Sequence, residues 1–319
     1  MIAPMSETVG ILSRSFSGNP QLRAEMLARH PGAKFNDSGR TLAGDELIAF
    51  LRGCGRAIVA LERIDETVLA ALPELRVISK YGVGLDNIDL TAAERHGKRV
   101  GWTAGVNRRS VAELAIGFAI ALLRHIPQSR QGVLDGTWRQ WTGRQLSDRT
   151  VGIIGCGHVG KDLAVLLRAF GCRVLAHDIR DFPDFYAAHG IEPRPLDALL
   201  READVVTLHL PLTDLTRGLI DAGRLALMRP DAILINTARG GIVDETALSR
   251  ALQEGRLAGA AFDVFRVEPP EDMDLLRHPN FLVTPHIGGS AAEAILAMGR
   301  AAIEGLDDAR EPGVFAVEK

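Results

Sequence analysis

Nine short apolar runs, at 8–13, 57–61, 77–79, 151–155, 174–177, 205–210, 232–236, 258–264 and 281–285, are separated by stretches in which apolar residues recur at helical spacing. Runs this short and this continuously apolar read as strands covered on both faces. Strands of that kind alternating with helices build βαβ units, and βαβ units build parallel sheets. An α/β fold is therefore expected. Helix starts punctuate the pattern. Asn19-Pro20 sets a capping side chain before a proline in the first turn, and Ser110-Val-Ala-Glu113, opening an apolar stretch to His125, has the form of a capping box. The polar stretch 128–149 then divides an N-terminal α/β unit from a second one beginning at Thr150. Within it, 132–149 carries Trp138 and Trp141 and is long for a connection, so it reads either as a solvated linker or as an interface segment.

A chain of 319 residues has room for about two domains. Its formal net charge of −3 gives no electrostatic case for a nucleic-acid partner, although Arg108-Arg109 is a candidate small-anion contact. Three unpatterned cysteines, Cys54, Cys156 and Cys172, fit neither a disulfide framework nor a zinc site, which points to a reducing compartment and to no metal. The longest apolar stretch, 111–123, contains Glu113 and is shorter than a bilayer requires. With no signal peptide visible, a cytoplasmic protein without a membrane partner is expected.

In "TVGIIGCGHVGKDLA" an apolar run leads into Gly155-Cys-Gly157-His-Val-Gly160 and then into a helical pattern. Gly155 suits a tight turn, Gly157 lets a pyrophosphate approach the main chain, and Gly160 lets helix and strand pack closely. The helix N-terminus adds free N–H groups and a favourable dipole. Asp178, 18 residues beyond Gly160 at the end of the next run, is placed to accept bonds from ribose hydroxyls and to repel a 2′-phosphate. NAD is the expected cofactor.

Moving a hydride between nicotinamide and a 2-hydroxy or 2-oxo acid needs a group that orients the acid and a proton donor beside it. The ends of later runs supply both. Arg239, in "ILINTARGGIVDE", offers a planar fork at the carboxyl end of a strand, the edge at which open sheets bind ligands. His286, in "LVTPHIGGS", follows another run. Glu268, in "AFDVFRVEPP", lies beyond a third and can hold the imidazole in its protonated form.

"GIIGCGHVG", "HLPLTDLTRGLI", "LINTARGGIVDE", "AAFDVFRVEPP" and "VTPHIGGS" occur in the order and approximate spacing of the D-isomer-specific 2-hydroxyacid dehydrogenases, and "VISKYGVGLDNIDL" resembles the substrate loop of their phosphoglycerate dehydrogenase-like branch. The resemblance covers nearly the whole chain. It implies two Rossmann-like domains with parallel sheets. One is a flavodoxin-like substrate domain over 1–104, completed by 288–319 because the last helix, from about Ser290, returns to it. The other is an NAD-binding domain over 105–287. It implies a catalytic set of Arg239, Glu268 and His286. It implies NAD contacts at Gly155, Gly157, His158, Val159, Gly160, Asp178, Pro211, Thr216, Thr237, Ala238, Arg239, Asp263, His286 and Gly288. Substrate contacts fall on Lys80, Tyr81, Gly82, Val83 and Gly84, with Arg239 and His286. It also implies a homodimer joined through the long helix and the arm at 132–149. Relatives on this fold that act as NAD(H)-responsive corepressors, or on phosphite or formate, define the alternatives. The intact catalytic set favours the hydroxyacid enzyme, and Glu268 stands where formate enzymes carry glutamine.

The glycines at 82 and 84 can present main-chain N–H groups to a substrate carboxylate. Lys80 stands where phosphoglycerate enzymes usually carry an arginine for the phosphate, and Tyr81 replaces a small residue. Read as exposed, Lys80 is either a solvated lysine or a point charge for a second anion on the substrate, such as the phosphate of 3-phosphoglycerate.

Overall fold

The structure, a computed structural model, describes residues 8–316. The chain divides into two compact units, Met1–Asn107 with Ser290–Lys319, and Arg108–Gly289.

The first unit is built on β1 (Val9–Ile11), β2 (Lys34–Phe35), β3 (Arg56–Val59), β4 (Val77–Lys80) and β5 (Arg99–Gly101), all parallel, in the order β2-β1-β3-β4-β5. Its first strand stops short of the expected Ser13, because the Ser13 hydroxyl turns back to accept from Phe16 N at 3.2 Å and starts a helix. Asn19 caps the helix Pro20–Arg29 as expected, its Oδ1 accepting from the amides of Gln21 and Leu22, each at 3.0 Å. The C-terminal segment is stitched into the same unit. Val100 and Arg310 exchange main-chain bonds of 2.8 and 2.9 Å, and the Ser79 hydroxyl donates to Ala302 O at 2.6 Å.

The second unit contains β6 (Thr150–Ile154), β7 (Arg173–His177), β8 (Glu192–Pro193), β9 (Val205–Leu208), β10 (Ile233–Asn236), β11 (Gly259–Phe262) and β12 (Phe281–Val283). These form one parallel sheet, ordered β12-β11-β10-β9-β6-β7-β8. Every residue of β9, β10 and β11 is buried, which is why their sequences are apolar but for Thr207 and Asn236. Asp244 caps the helix that follows the arginine turn, accepting from Ala247 N at 3.0 Å.

The capping-box expectation fails. The helix Arg108–Leu123 begins two residues before Ser110, and the Ser110 hydroxyl donates to Gly288 O at 2.6 Å. Arg109 is no open anion contact, since its guanidinium is engaged by both oxygens of Asp162 at 2.7 and 2.9 Å. Part of the expected polar stretch is helical, Ile126–Leu134, and the rest folds back. Arg144 N donates to Leu123 O at 2.8 Å, and the Arg139 guanidinium stacks 3.8 Å over the Trp141 ring. Among the described residues no single helix is long and apolar enough to cross a membrane. Arg108–Leu123 and Ile126–Leu134 have the length together, but they meet at 59°.

Candidate active site

The second sheet reverses its strand order at β6, which has β7 on one side and β9 on the other, and the carboxyl end of that pair is where an open α/β sheet forms its ligand crevice. The glycine turn lies there, between β6 and the helix His158–Ala169. A Cβ at Gly160 would come within 2.1 Å of Gly155 O, so only glycine permits this approach of helix and strand. A Cβ at Gly157 would meet nothing within 4 Å, which leaves the face above the turn open. Gly157 itself offers no side-chain cap, so the first N–H groups of the helix keep their donor capacity. Asp178 closes the turn from the end of β7, its carboxylate accepting from Cys156 N at 2.6 Å and Arg180 N at 2.9 Å. Burial pushes the Cys156 thiol up to about 11, with the Asp178 charge adding to it, so this cysteine stays protonated. Across the crevice, His209 follows β9 with Nε2 2.9 Å from Thr207 Oγ1, and burial drives its pKa down to about 3, keeping it neutral. The sequence reading missed His209, which has no motif of its own. Pro211 and Thr216 meet in the next loop, where the Thr216 hydroxyl donates to Pro211 O at 2.6 Å.

Three strand ends further along the same sheet bring Arg239, Glu268 and His286 together. The turn after β10 is held by fully buried Asn236, whose side chain accepts from Ala238 N at 3.1 Å and donates to Arg239 O at 2.9 Å. That side chain bends the main chain at Arg239, and its role was not legible from an apolar run ending in Asn. Gly240 continues the turn where a Cβ would fall 1.9 Å from both C and O of Phe265. The arginine loop and the loop after β11 are thus in main-chain contact. On the other side of that contact, Phe265 N donates to Glu268 Oε1 at 3.0 Å, and Glu268 Oε2 lies 2.9 Å from His286 Nδ1. Arg239 Nη1 donates to Ala238 O at 2.7 Å.

His286 has φ +55°, in the left-handed region that costs a side-chain-bearing residue about 1–3 kcal/mol. Asp263, 1 % exposed, holds it there. Its Oδ1 accepts from the Thr284 hydroxyl at 2.5 Å and Ile287 N at 2.7 Å, its Oδ2 accepts from Gly288 N at 2.7 Å, and its main-chain oxygen accepts from His286 N at 2.9 Å. Ser110 adds a tie at Gly288 O.

The charges follow from these contacts. The bond to Glu268 raises the pKa of His286 above its ordinary value, against burial, which lowers it. Burial raises the Glu268 carboxyl, but the bonds from His286 and Phe265 N outweigh it and the net shift is downward. Arg239 acts on both, lowering each pKa through its positive charge. The ring is therefore protonated more readily than a free imidazole, with Nδ1 committed to the carboxylate and Nε2 left to carry a transferable proton.

The first unit places the expected substrate residues on the loop after β4. Gly82, Val83 and Gly84 are partly exposed, and Val83 O is held by Trp102 Nε1 at 3.0 Å. Tyr81 departs from the expectation. Its side chain is 7 % exposed and packs edge-on against Phe16 at 5.8 Å, with the hydroxyl 3.3 Å from Ser15 Oγ, because its register points it into the core. Lys80 is not a surface residue either. It is 6 % exposed, and its ammonium donates to Ala60 O and, at 2.5 Å, to Asn87 Oδ1.

Residues 116–288 match the family described as D-isomer specific 2-hydroxyacid dehydrogenase, NAD binding domain. The chain belongs to this family. Rat D-3-phosphoglycerate dehydrogenase is 40 % identical over 258 residues, 80 % of this chain and 48 % of that protein, so the chain spans about half the length of the curated relatives it matches. The crystal structure of a putative D-isomer specific 2-hydroxyacid dehydrogenase, NAD-binding, from Polaromonas sp. JS6 66 superposes with a TM-score of 0.87 at 29 % identity, covering 95 % of this chain and 96 % of that one. That of D-lactate dehydrogenase from Aquifex aeolicus complexed with NAD and lactic acid gives a TM-score of 0.82 at 26 % identity, with 94 % of each chain covered.

The matched segment is the family's NAD binding domain, which implies NAD as the cofactor. The residues present fit it. Beside the open glycine turn and the acidic side chain at the end of β7, Thr237 carries a hydroxyl that is buried with no hydrogen-bond partner. A buried polar group left unpaired is costly, and a polar ligand at the strand end relieves that cost.

Proposed function

We propose that this protein is an NAD-dependent oxidoreductase that interconverts a D-2-hydroxy acid and its 2-oxo acid. The observation that carries the reading is the Glu268–His286 bond beside Arg239, which raises the pKa of an imidazole set next to a guanidinium. Bound NADH supplies a hydride to the second carbon of the oxo acid. Arg239 orients the acid and draws electron density toward the carbonyl oxygen. His286 gives its Nε2 proton to that oxygen, and Glu268 holds the ring through Nδ1. In oxidation a neutral His286 takes the hydroxyl proton instead. To the first unit, as substrate domain, we assign the carboxylate of the acid, received by the amides of Gly82 to Gly84. To the second, as NAD-binding domain, we assign the dinucleotide, along Gly155 to Gly160, Asp178, Pro211, Thr216, Thr237, Ala238, Asp263 and Gly288. A panel of 2-oxo acids assayed with NADH tests the reading, and absence of NADH oxidation with all of them would overturn it. Turnover of NADPH as efficient as that of NADH would remove Asp178 as the discriminating residue.

We also propose a homodimer in the cytoplasm. The helix Ile126–Leu134 buries none of its residues, and Ile126, Val133, Leu134 and Trp138 are 50, 54, 63 and 84 % exposed, an apolar face that a second copy would cover. The three free cysteines, all buried, support a reducing compartment. Sedimentation velocity checks the dimer, and a monomer at micromolar concentration would refute it.

A further inference from the structure

Two charged side chains that the proposed reaction does not use are buried at the carboxyl ends of β3 and β4. Glu62 is 2 % exposed and Lys80 is 6 % exposed. They grip the same residue, since Ala60 N donates to Glu62 Oε2 at 2.6 Å and Lys80 Nζ donates to Ala60 O. Asn87 completes the arrangement, accepting from Lys80 at Oδ1 and donating through Nδ2 to Glu62 O at 2.6 Å. The main chain follows, with Ile64 N donating to Asn87 O at 2.8 Å and Asp89 N to Ile64 O at 2.9 Å. The loop after β3 is thus fastened to the loop after β4 on both sides of Gly82 to Gly84. At Gly82, whose φ is +119°, a Cβ would lie 3.6 Å from Lys80 Cε, so the lysine stem lines the back of the turn.

We infer that Lys80 is a positioning residue of the Gly82–Gly84 turn, acting with Glu62 and Asn87, and that it is not the cation that selects a second anion on the substrate. This rests on the reading of that turn as the carboxylate site. A buried ammonium satisfied by a main-chain carbonyl and an amide oxygen is held by geometry, and turning it toward an anion would leave Ala60 O and Asn87 Oδ1 unpaired in the interior. Fastened in this way, the turn meets any 2-oxo acid with its N–H groups already aligned, so the contribution is the same whatever the acid carries beyond the second carbon.

The test compares the native protein with Lys80→Met, which keeps the stem and removes the donors, and with Asn87→Ser, a milder cut in the same network. Michaelis constants and kcat are measured for glyoxylate and for oxaloacetate, with NADH affinity measured separately, and amide exchange is followed across residues 82–85. Expected for Lys80→Met is a rise in KM of about tenfold or more for both acids by the same factor, with NADH affinity unchanged and faster exchange in the turn. Asn87→Ser moves the same readouts in the same direction by less. A rise confined to oxaloacetate would show an anion contact and overturn the inference, as would unchanged exchange in the turn. Exchange needs no turnover. It decides the inference even if the native protein reduces neither acid, an outcome that would count against the proposed reaction.

Discussion

Each unit presents, at the carboxyl edge of a parallel sheet, a loop that the proposed function uses, and the two loops are held by opposite charges. In the second unit a buried carboxylate, Asp263, gathers a hydroxyl and two amides and fixes the loop of His286. In the first, a buried ammonium, Lys80, gathers a carbonyl and an amide oxygen and fixes the turn at 82–84. A carboxylate accepts only and an ammonium donates only, so each charge organises the half of the peptide group that its loop leaves unpaired inside. The difference teaches that a charged side chain near a site need not face the ligand.

Removing the groups on the second loop should cost most. His286→Ala deletes the proton donor, and kcat is expected to fall about 10²–10⁴-fold while fluorescence titration shows NADH still bound. Near-normal turnover in a folded variant would remove the residue from the mechanism. Asp263→Ala breaks the scaffold instead. It strips three donors of their acceptor, and the buried one, Gly288 N, alone costs about 1–3 kcal/mol when left unpaired, so both the melting temperature and kcat should drop. Gly240→Ala drives a methyl into the main chain of Phe265, and urea titration should register a loss of about 1–3 kcal/mol or more.

Charge alone is separated from geometry by Glu268→Gln. In the native protein the histidine pKa is raised and the carboxyl pKa lowered, so the pair's stabilising contribution is complete between their ordinary values of 4.5 and 6.5, and it is lost as pH rises through the folded value of His286 or falls through that of Glu268. Without the carboxylate the folded pKa falls, and the alkaline limb of the reduction profile should move to lower pH. An unmoved limb would place the titration elsewhere. The smallest effect belongs to Ser110→Ala, which frees one hydrogen bond to Gly288 O and should cost about 0.5–1.5 kcal/mol, read from the urea midpoint.

How much of this was legible depends on whether the cause was local. The long strands of the second unit announce themselves because both faces are buried, whereas β2 and β8 have two residues each and carry no period to detect. The glycine turn and the Asn19 cap are legible because their chemistry lies within a few neighbouring residues. Ser110 misled for the same reason. Its spacing to Glu113 imitates a cap, and only the fold reveals that the helix already includes it and that Gly288, far along the chain, takes its hydroxyl. The burial of Lys80 and Tyr81 was not legible because burial at a strand end is set by the neighbouring loop and by the core face. The partners Glu62, Asn87 and Phe16 lie 7 to 65 residues away in the sequence.

The main-chain contact between Gly240 and Phe265 works as a gauge block. With no side chain between the arginine loop and the carboxylate loop, the spacing of those two loops is set by the van der Waals radii of main-chain atoms and holds only while residue 240 is glycine. Drift in the surrounding core can change side-chain sizes without changing that interval. On the proposed function, the acid accepted can change through the first unit while the interval between the loops of Arg239 and Glu268 stays the same.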